Sequence, residues 1–178
     1  MSPYENLPDT QWKKVTKKLV NEHPLSSDIL IDTVLKAWNG ILNTKIADEL
    51  QIGRDIFPTP QILGNYLHEL IPVFLEKKYP GQWTRDIEKK DKDLVCVANP
   101  YYSVEIKTSS NANNIYGNAS YGQEDSASAS SKTKDGYYLA VNFEKFNPSN
   151  KDFIPRIRKI RFGWLDHSDW HSQNASSG

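Results

Sequence analysis

The chain has 178 residues, with 22 Lys or Arg balanced by 22 Asp or Glu, and 38% of it is hydrophobic, including five Trp and nine Tyr. That is too apolar for a disordered chain and long enough for one domain with a buried core. The single cysteine, Cys96, excludes an internal disulfide framework and a four-cysteine zinc site. No stretch reads as a signal peptide or reaches membrane-spanning length, so a soluble protein of a reducing, cytoplasmic compartment is expected.

A net charge of zero argues weakly against a nucleic-acid partner, because neutralising phosphates dominates such affinity. The distribution says more than the sum. Lys13, Lys14, Lys17 and Lys18 cluster early, Arg156, Arg158, Lys159 and Arg161 cluster late, and acidic residues lie between. A basic rim around an acidic centre fits an enzyme that binds DNA and holds metal ions. Each cluster taken alone reads equally well as an ordinary solvated face.

From Pro8-Asp9 onward, Trp12, Val15, Leu19 and Val20 recur at helical spacing until Pro24. Ser26-Ser27-Asp28 is the N-cap signal of a second helix, whose expected apolar stripe is Ile31, Val34, Leu35, Trp38 and Leu42. A third helix is expected from Thr59-Pro60 through Leu63, Tyr66, Leu67 and Leu70 to about Lys78. Pro72 inside it should kink it and free the carbonyl of His68, with Glu69 beside the kink.

The second half changes to a period of two. Asp93 to Ala98 is a short β-rich run, Asn99-Pro100 a turn, and Tyr102 to Thr108 a returning strand. Residues 109–131 contain seven serines and few large aliphatics, so a long surface loop is expected there. Gly136 to Phe143 and Ile157 to Leu165 read as two further strands, the last with Ile160, Phe162 and Trp164 on one face. Helices followed by antiparallel-looking strands suggest an α+β or mixed α/β domain.

Chemistry concentrates at the expected hairpin. Alternation puts Glu105 and Lys107 on one face of the strand, with Val104 and Ile106 on the opposite, core-facing side. The tight turn brings Asp93 alongside. Two converging carboxylates are the hard oxygen ligands that Mg²⁺ prefers, and a lysine two residues along can polarise a water or stabilise negative charge on a phosphate. Enzymes lower barriers by roughly 8–23 kcal/mol, more than one lysine can supply, which favours a metal. Asp91 competes with Asp93 but falls in the turn-like run Lys89-Lys90-Asp91-Lys92. The bland alternative is a surface ion pair between Glu105 and Lys107. His167 and Asp169, two apart in a loop, form a weaker candidate pair, and His23, His68 and His171 show no zinc-ligand spacing with cysteine. Asn113, Asn114, Asn118 and Gln123, with Tyr116 and Tyr121, suit base-edge contacts or an ordinary solvated loop alike. Lys132, Lys134 and the arginines near 156–161, Arg158 among them, would suit phosphates.

Asp93, eleven intervening residues, then Glu105-Ile106-Lys107 resembles the PD-(D/E)xK nuclease pattern of many type II restriction endonucleases, with Lys92 where the proline usually stands. The run Glu105-Ile106-Lys107-Thr108-Ser109-Ser110, the Gly117-Asn118 loop and the closing stretch from Gly163 to Trp170 are similar to ScaI-type restriction enzymes, over roughly residues 58–178. The resemblance implies a central mixed β-sheet flanked by helices. It implies metal ligation by Asp93 and Glu105, a further acidic ligand from the preceding helix, for which Glu69 is the matching position, and the Ile106 carbonyl as an added ligand. The expected function is therefore Mg²⁺-dependent, sequence-specific cleavage of double-stranded DNA to 5′-phosphate and 3′-hydroxyl ends, with Lys107 at the attacking water. Ser109 and Ser110 join the candidate DNA contacts. A palindromic target implies a homodimer, with residues 1–57 as a helical dimerisation or DNA-clasping region and 58–178 as the nuclease core. The rivals are a repair or junction-resolving nuclease, a non-catalytic DNA-binding protein, and an interaction domain with no nucleic-acid role.

Overall fold

The computed structural model describes residues 2–88, 90–117, 133–147 and 149–171. Helices α1 (Asp9–Glu22) and α2 (Ser27–Leu42) come first, followed by a small hairpin of β1 (Lys45–Ile46) and β2 (Leu50–Gln51). Helix α3 (Pro60–Lys78) leads into a sheet of β3 (Trp83–Arg85), β4 (Leu94–Cys96), β5 (Val104–Ser109), β6 (Gly136–Phe143) and β7 (Ile157–Leu165). The strands lie in the order of their numbers, and every neighbouring pair is antiparallel except β5 and β6, which run parallel. This is the expected mixed sheet flanked by helices. A parallel pair needs a crossover of a dozen residues or more, which is what residues 110–135 provide.

Local signals explain most boundaries. The Ser26 hydroxyl accepts the Ile29 N–H at 3.3 Å, capping α2. The apolar stripe of α2 is rotated by about one residue from the expected one. Leu30, Val34, Ala37, Trp38 and Ile41 are buried, whereas Ile31 and Leu35 are 39% and 42% exposed. Two overlapping stripes, 30/34/37/41 and 31/35/38/42, are both helical in period, and only tertiary packing chooses between them. Helix α3 begins with Pro60 in its first turn and runs continuously through Pro72. Strands β3, β1 and β2 carried no sequence signal, being two or three residues long with no readable period.

One hydrophobic core joins the helices to one face of the sheet. Leu30, Val34 and Trp38 of α2 meet Leu63, Leu67 and Ile71 of α3 in the same cluster as Val104, Ile106, Leu139 and Val141. Ile160, Phe162 and Trp164 of β7 pack on it from the side, as their alternation required. Gly64 lets α3 approach β5: a Cβ there would stand 2.7 Å from the Thr108 hydroxyl. Among the described residues no helix is long and apolar enough to cross a membrane.

Candidate active site

Strand β4 pairs with β5 at only one position, Leu94 with Val104, and the chain then diverges. Backbone groups beyond that point must find other partners. The Ser103 hydroxyl takes the Cys96 N–H at 3.1 Å, and the Asp93 carboxylate takes the Ile106 N–H at 2.6 Å. Asp93 is thereby fixed against the peptide that joins Glu105 to Ile106. Along the strand, the Lys107 ammonium donates to Glu105 Oε1 at 2.5 Å. Ile106 is fully buried on the core side, as expected. Glu105, on the other side, is only 3% exposed, which a surface ion pair would not be. A charge that deep is stable only with close partners.

From α3, His68 reaches this centre, its Nδ1 lying 3.6 Å from Asp93 Oδ2. That is too long for a hydrogen bond but close enough for attraction when the ring is protonated. Gly64 lies one turn earlier on the same helix face, so the tight approach to Thr108 also brings His68 near Asp93. Glu69 is exposed on the neighbouring face of α3. Asp91 accepts the Ile87 and Glu88 N–H groups at 3.1 and 2.8 Å, which fixes it in a turn.

Lys92, standing where the resembling pattern has proline, is almost completely buried. Its ammonium donates to the Asp135 carbonyl at 2.8 Å and lies 5.3 Å from the centre of the Tyr138 ring. A Cβ on Gly136, whose φ is +138°, would sit 2.6 Å from that ammonium. Lys92 thus fastens the turn bearing Asp93 to the start of β6.

Register across β5, β6 and β7 sorts the same sheet face into three rows. Glu105 pairs with Tyr138 and that with Gly163; Lys107 pairs with Ala140 and that with Arg161; Ser109 pairs with Asn142 and that with Lys159. Directly opposed residues share a face, so Lys107 and Arg161 stand in one row with Ala140 between them. Asn142 has no exposed surface, and its Nδ2 donates to the Asn111 and Asn114 carbonyls at 2.9 Å each. Arg161 Nη2 donates to Asn142 Oδ1 and to the Asn113 carbonyl, both at 2.7 Å, and the Lys159 ammonium donates to Asn113 Oδ1 at 2.8 Å. Asn111–Asn114 is thereby held against the ends of β6 and β7. The Ser109 hydroxyl accepts the Asn111 N–H at 3.0 Å and begins the turn, and Ser110 is half-buried beside it.

The structure therefore brings Asp93, Glu105, Ile106 and Lys107 together and sets Ser109, Asn113 and Asn114 beside them. Arg158 stands apart, 3.6 Å from the Glu144 carboxylate. Asn118, Tyr121, Gln123 and Lys132 lie outside the described residues. His167 approaches the Lys134 ammonium at 3.2 Å, and Asp169 accepts the Asp166 N–H at 2.8 Å in a short 3₁₀ turn. Sequence reasoning gave His68 and Asn142 no role. A signal existed for each: His68 is four residues from Gly64, and Asn142 interrupts an apolar strand buried along its length, where a polar side chain must find hydrogen-bond partners.

Comparison with known proteins agrees along the whole chain. The family model described as ScaI restriction endonuclease matches residues 2–178. The chain is 45% identical over 177 residues to the Type II restriction enzyme ScaI of Streptomyces caespitosus, covering 99% of this chain and 77% of that enzyme. No solved structure matches significantly.

Proposed function

The chain belongs to the ScaI restriction endonuclease family, and from that premise we infer a type II restriction enzyme that hydrolyses double-stranded DNA at a specific sequence with Mg²⁺ as its metal. The observation that carries this reading is the hydrogen bond from the Ile106 N–H to Asp93, which sets one carboxylate against the peptide of the other, with the Lys107 ammonium on Glu105.

The donor set fits a hard divalent cation. Asp93 and Glu105 offer carboxylate oxygens and Ile106 a peptide carbonyl, with Glu69 on α3 as the further candidate ligand. Among the described residues no group of three or more His, Cys, Asp or Glu is arranged to hold a metal. Mg²⁺ tolerates such a sparse set because it keeps several waters and takes one or two carboxylates together with substrate phosphate oxygens. When bound, the cation neutralises charge on the phosphodiester and makes nearby water more acidic.

The remaining work falls to the chain's own side chains. Lys107 orients the attacking water with its ammonium and offers positive charge to the phosphate as negative charge builds up. The Ile106 N–H holds the Asp93 carboxylate in place, so no reorganisation is needed there at the moment of reaction. Water adds to phosphorus, the bond from phosphorus to the 3′ oxygen breaks, and the products carry 5′-phosphate and 3′-hydroxyl ends. Asn113, Asn114, Ser109 and Ser110 are candidate DNA contacts around this centre, with Asn118, Tyr121, Gln123, Lys132 and Arg158 further along the chain. Cutting both strands of a palindromic site calls for two copies of the chain. Residues 1–57 are then the dimerising or DNA-clasping region and 58–178 the nuclease core, acting in the cytoplasm.

Incubating the protein with mixed-sequence plasmid DNA tests this reading. Discrete fragments are expected with Mg²⁺ and none without it, and Lys107→Ala should bind the plasmid but leave it intact. Cutting that survives Lys107→Ala refutes the assigned role of the lysine, and nicking only at branched or mispaired DNA would point to a repair enzyme.

A further inference from the structure

Arg161 occupies the same cross-strand row as Lys107, two strands away. Neighbouring strands lie about 4.8 Å apart, so the two backbones stand about 10 Å from each other. The smallest side chain of the row, Ala140, lies between them. A guanidinium has five N–H donors in a rigid fork. Two bonds from Nη2, to Asn142 Oδ1 and the Asn113 carbonyl, fix its orientation. Among the described residues the Nε and Nη1 hydrogens make no bond, and Arg161 as a whole is exposed. No carboxylate lies within ion-pair distance of it among the described residues, unlike Arg156 and Arg158, which both face Glu144. An exposed arginine ordinarily spends side-chain entropy when it grips a ligand. Here the network has already ordered it, through a buried asparagine.

We propose that Arg161 binds a backbone phosphate of the DNA and, in doing so, registers the strand against the row that carries Lys107. A charge-assisted hydrogen bond from Nε or Nη1 to a phosphate oxygen is about twice as strong as a neutral one, and a guanidinium keeps its charge at any pH the protein meets. Asn142 is the positioning residue behind it, because together with the Asn113 carbonyl it holds Nη2 and leaves the Nε and Nη1 hydrogens to donate. The same contacts tie Asn111–Asn114 to Arg161, so a turn suited to touching bases is held at a fixed distance from a phosphate contact. The proposal rests on DNA being the substrate.

Salt dependence tests it, because each phosphate neutralised contributes about 0.9 to the slope of log affinity against log salt. Binding of a mixed-sequence DNA duplex is measured without Mg²⁺ over a range of salt for the wild type, Arg161→Gln and Arg161→Lys. Arg161→Gln should flatten the slope by about 0.9, and Arg161→Lys, which keeps the charge, should largely restore it. A slope in Arg161→Gln equal to that of the wild type overturns the proposal, since an arginine that merely braces the turn would leave the slope unchanged. Plasmid cutting by the same wild-type preparation keeps the two readings apart: a wild type that cuts, with unchanged slopes among the variants, defeats the role of Arg161 alone. A wild type that neither cuts nor binds DNA defeats the nuclease reading and this proposal with it.

Discussion

Strand β5 presents two surfaces that obey different rules. Toward the helices it turns Val104 and Ile106, both without exposed surface, and Thr108 against Gly64. Away from them it turns Glu105, Lys107 and Ser109, each bound to a named polar partner or facing one across the sheet. The first surface is held by area removed from water, which tolerates no void and asks nothing of orientation beyond fit. The second is held by directed bonds to a small number of atoms, where a group left without its partner is costly. One residue along the strand separates the two regimes.

Substitutions at neighbouring positions should therefore fail in different ways. Asp93→Asn keeps an oxygen for the Ile106 N–H but removes the charge, and should lower the cutting rate by at least about a hundredfold with little change in melting temperature, read by plasmid digestion beside thermal unfolding. Ile106→Ala should do the reverse, costing about 2–5 kcal/mol of stability in denaturant unfolding, with residual activity per folded molecule. If both variants lost activity and stability together, the division between the faces would be wrong. Gly64→Ala probes the contact between helix and sheet, where overpacking costs about 1–3 kcal/mol, partly offset by the roughly 1 kcal/mol that Ala gains over Gly inside a helix. Removing the obstructing hydroxyl should reveal that gain, so that Gly64→Ala/Thr108→Ala is at least as stable as Thr108→Ala alone. A double variant less stable than Thr108→Ala alone would place the clash elsewhere.

The smallest effect concerns a group buried on the apolar side. His23 lies among Trp83, Tyr102, Tyr137 and Phe162. The Leu25 N–H donates to its Nδ1 at 3.1 Å, so Nε2 carries the proton and donates to the Tyr102 carbonyl at 2.9 Å. Burial holds this imidazole below its ordinary pKa, outweighing the backbone contacts to Tyr102 and Leu25 that act the other way. As pH falls through about 6.5, the unfolded chain takes up the proton before the folded one does. Stability from this residue is thus intact above that pH and declines below it, by up to about 1.4 kcal/mol for each pH unit between the two values. Melting curves at pH 7.5 and 5.5 should show the decline, and His23→Gln should reduce it; an unaltered decline would trace the acid sensitivity to other groups.

How much of this could be read beforehand depended on whether the information was local. β6 was legible from its long apolar run after Gly136, and β7 from the alternation of Ile160, Phe162 and Trp164 with basic residues. The three helices were legible from Pro8, Ser26 and Pro60 at their starts. The α2 stripe was misplaced because two faces of that helix are apolar, and which one is buried is decided by α3 and the sheet. The direction of β6 relative to β5 was not written in either strand. It follows from the crossover that joins them. At the site, the placement of Glu105 and Lys107 followed from alternation, whereas the depth of Glu105 did not, since burial depends on what covers a face. His68 and Arg161 lie far along the chain from the residues they approach, and a short motif gives no account of such partners.

The connection between β5 and β6 is clamped at both ends: Asn142 and Arg161 grip it just after Ser109, and Lys92 grips it at Asp135, beside Asp93. Neither clamp belongs to the backbone ladder of the sheet; each is a side chain from a distant part of the chain that holds one end of the crossover. A change at Asn142 would therefore be felt beside Ser109, and a change at Lys92 at Asp135, far along the sequence from the residue that was altered.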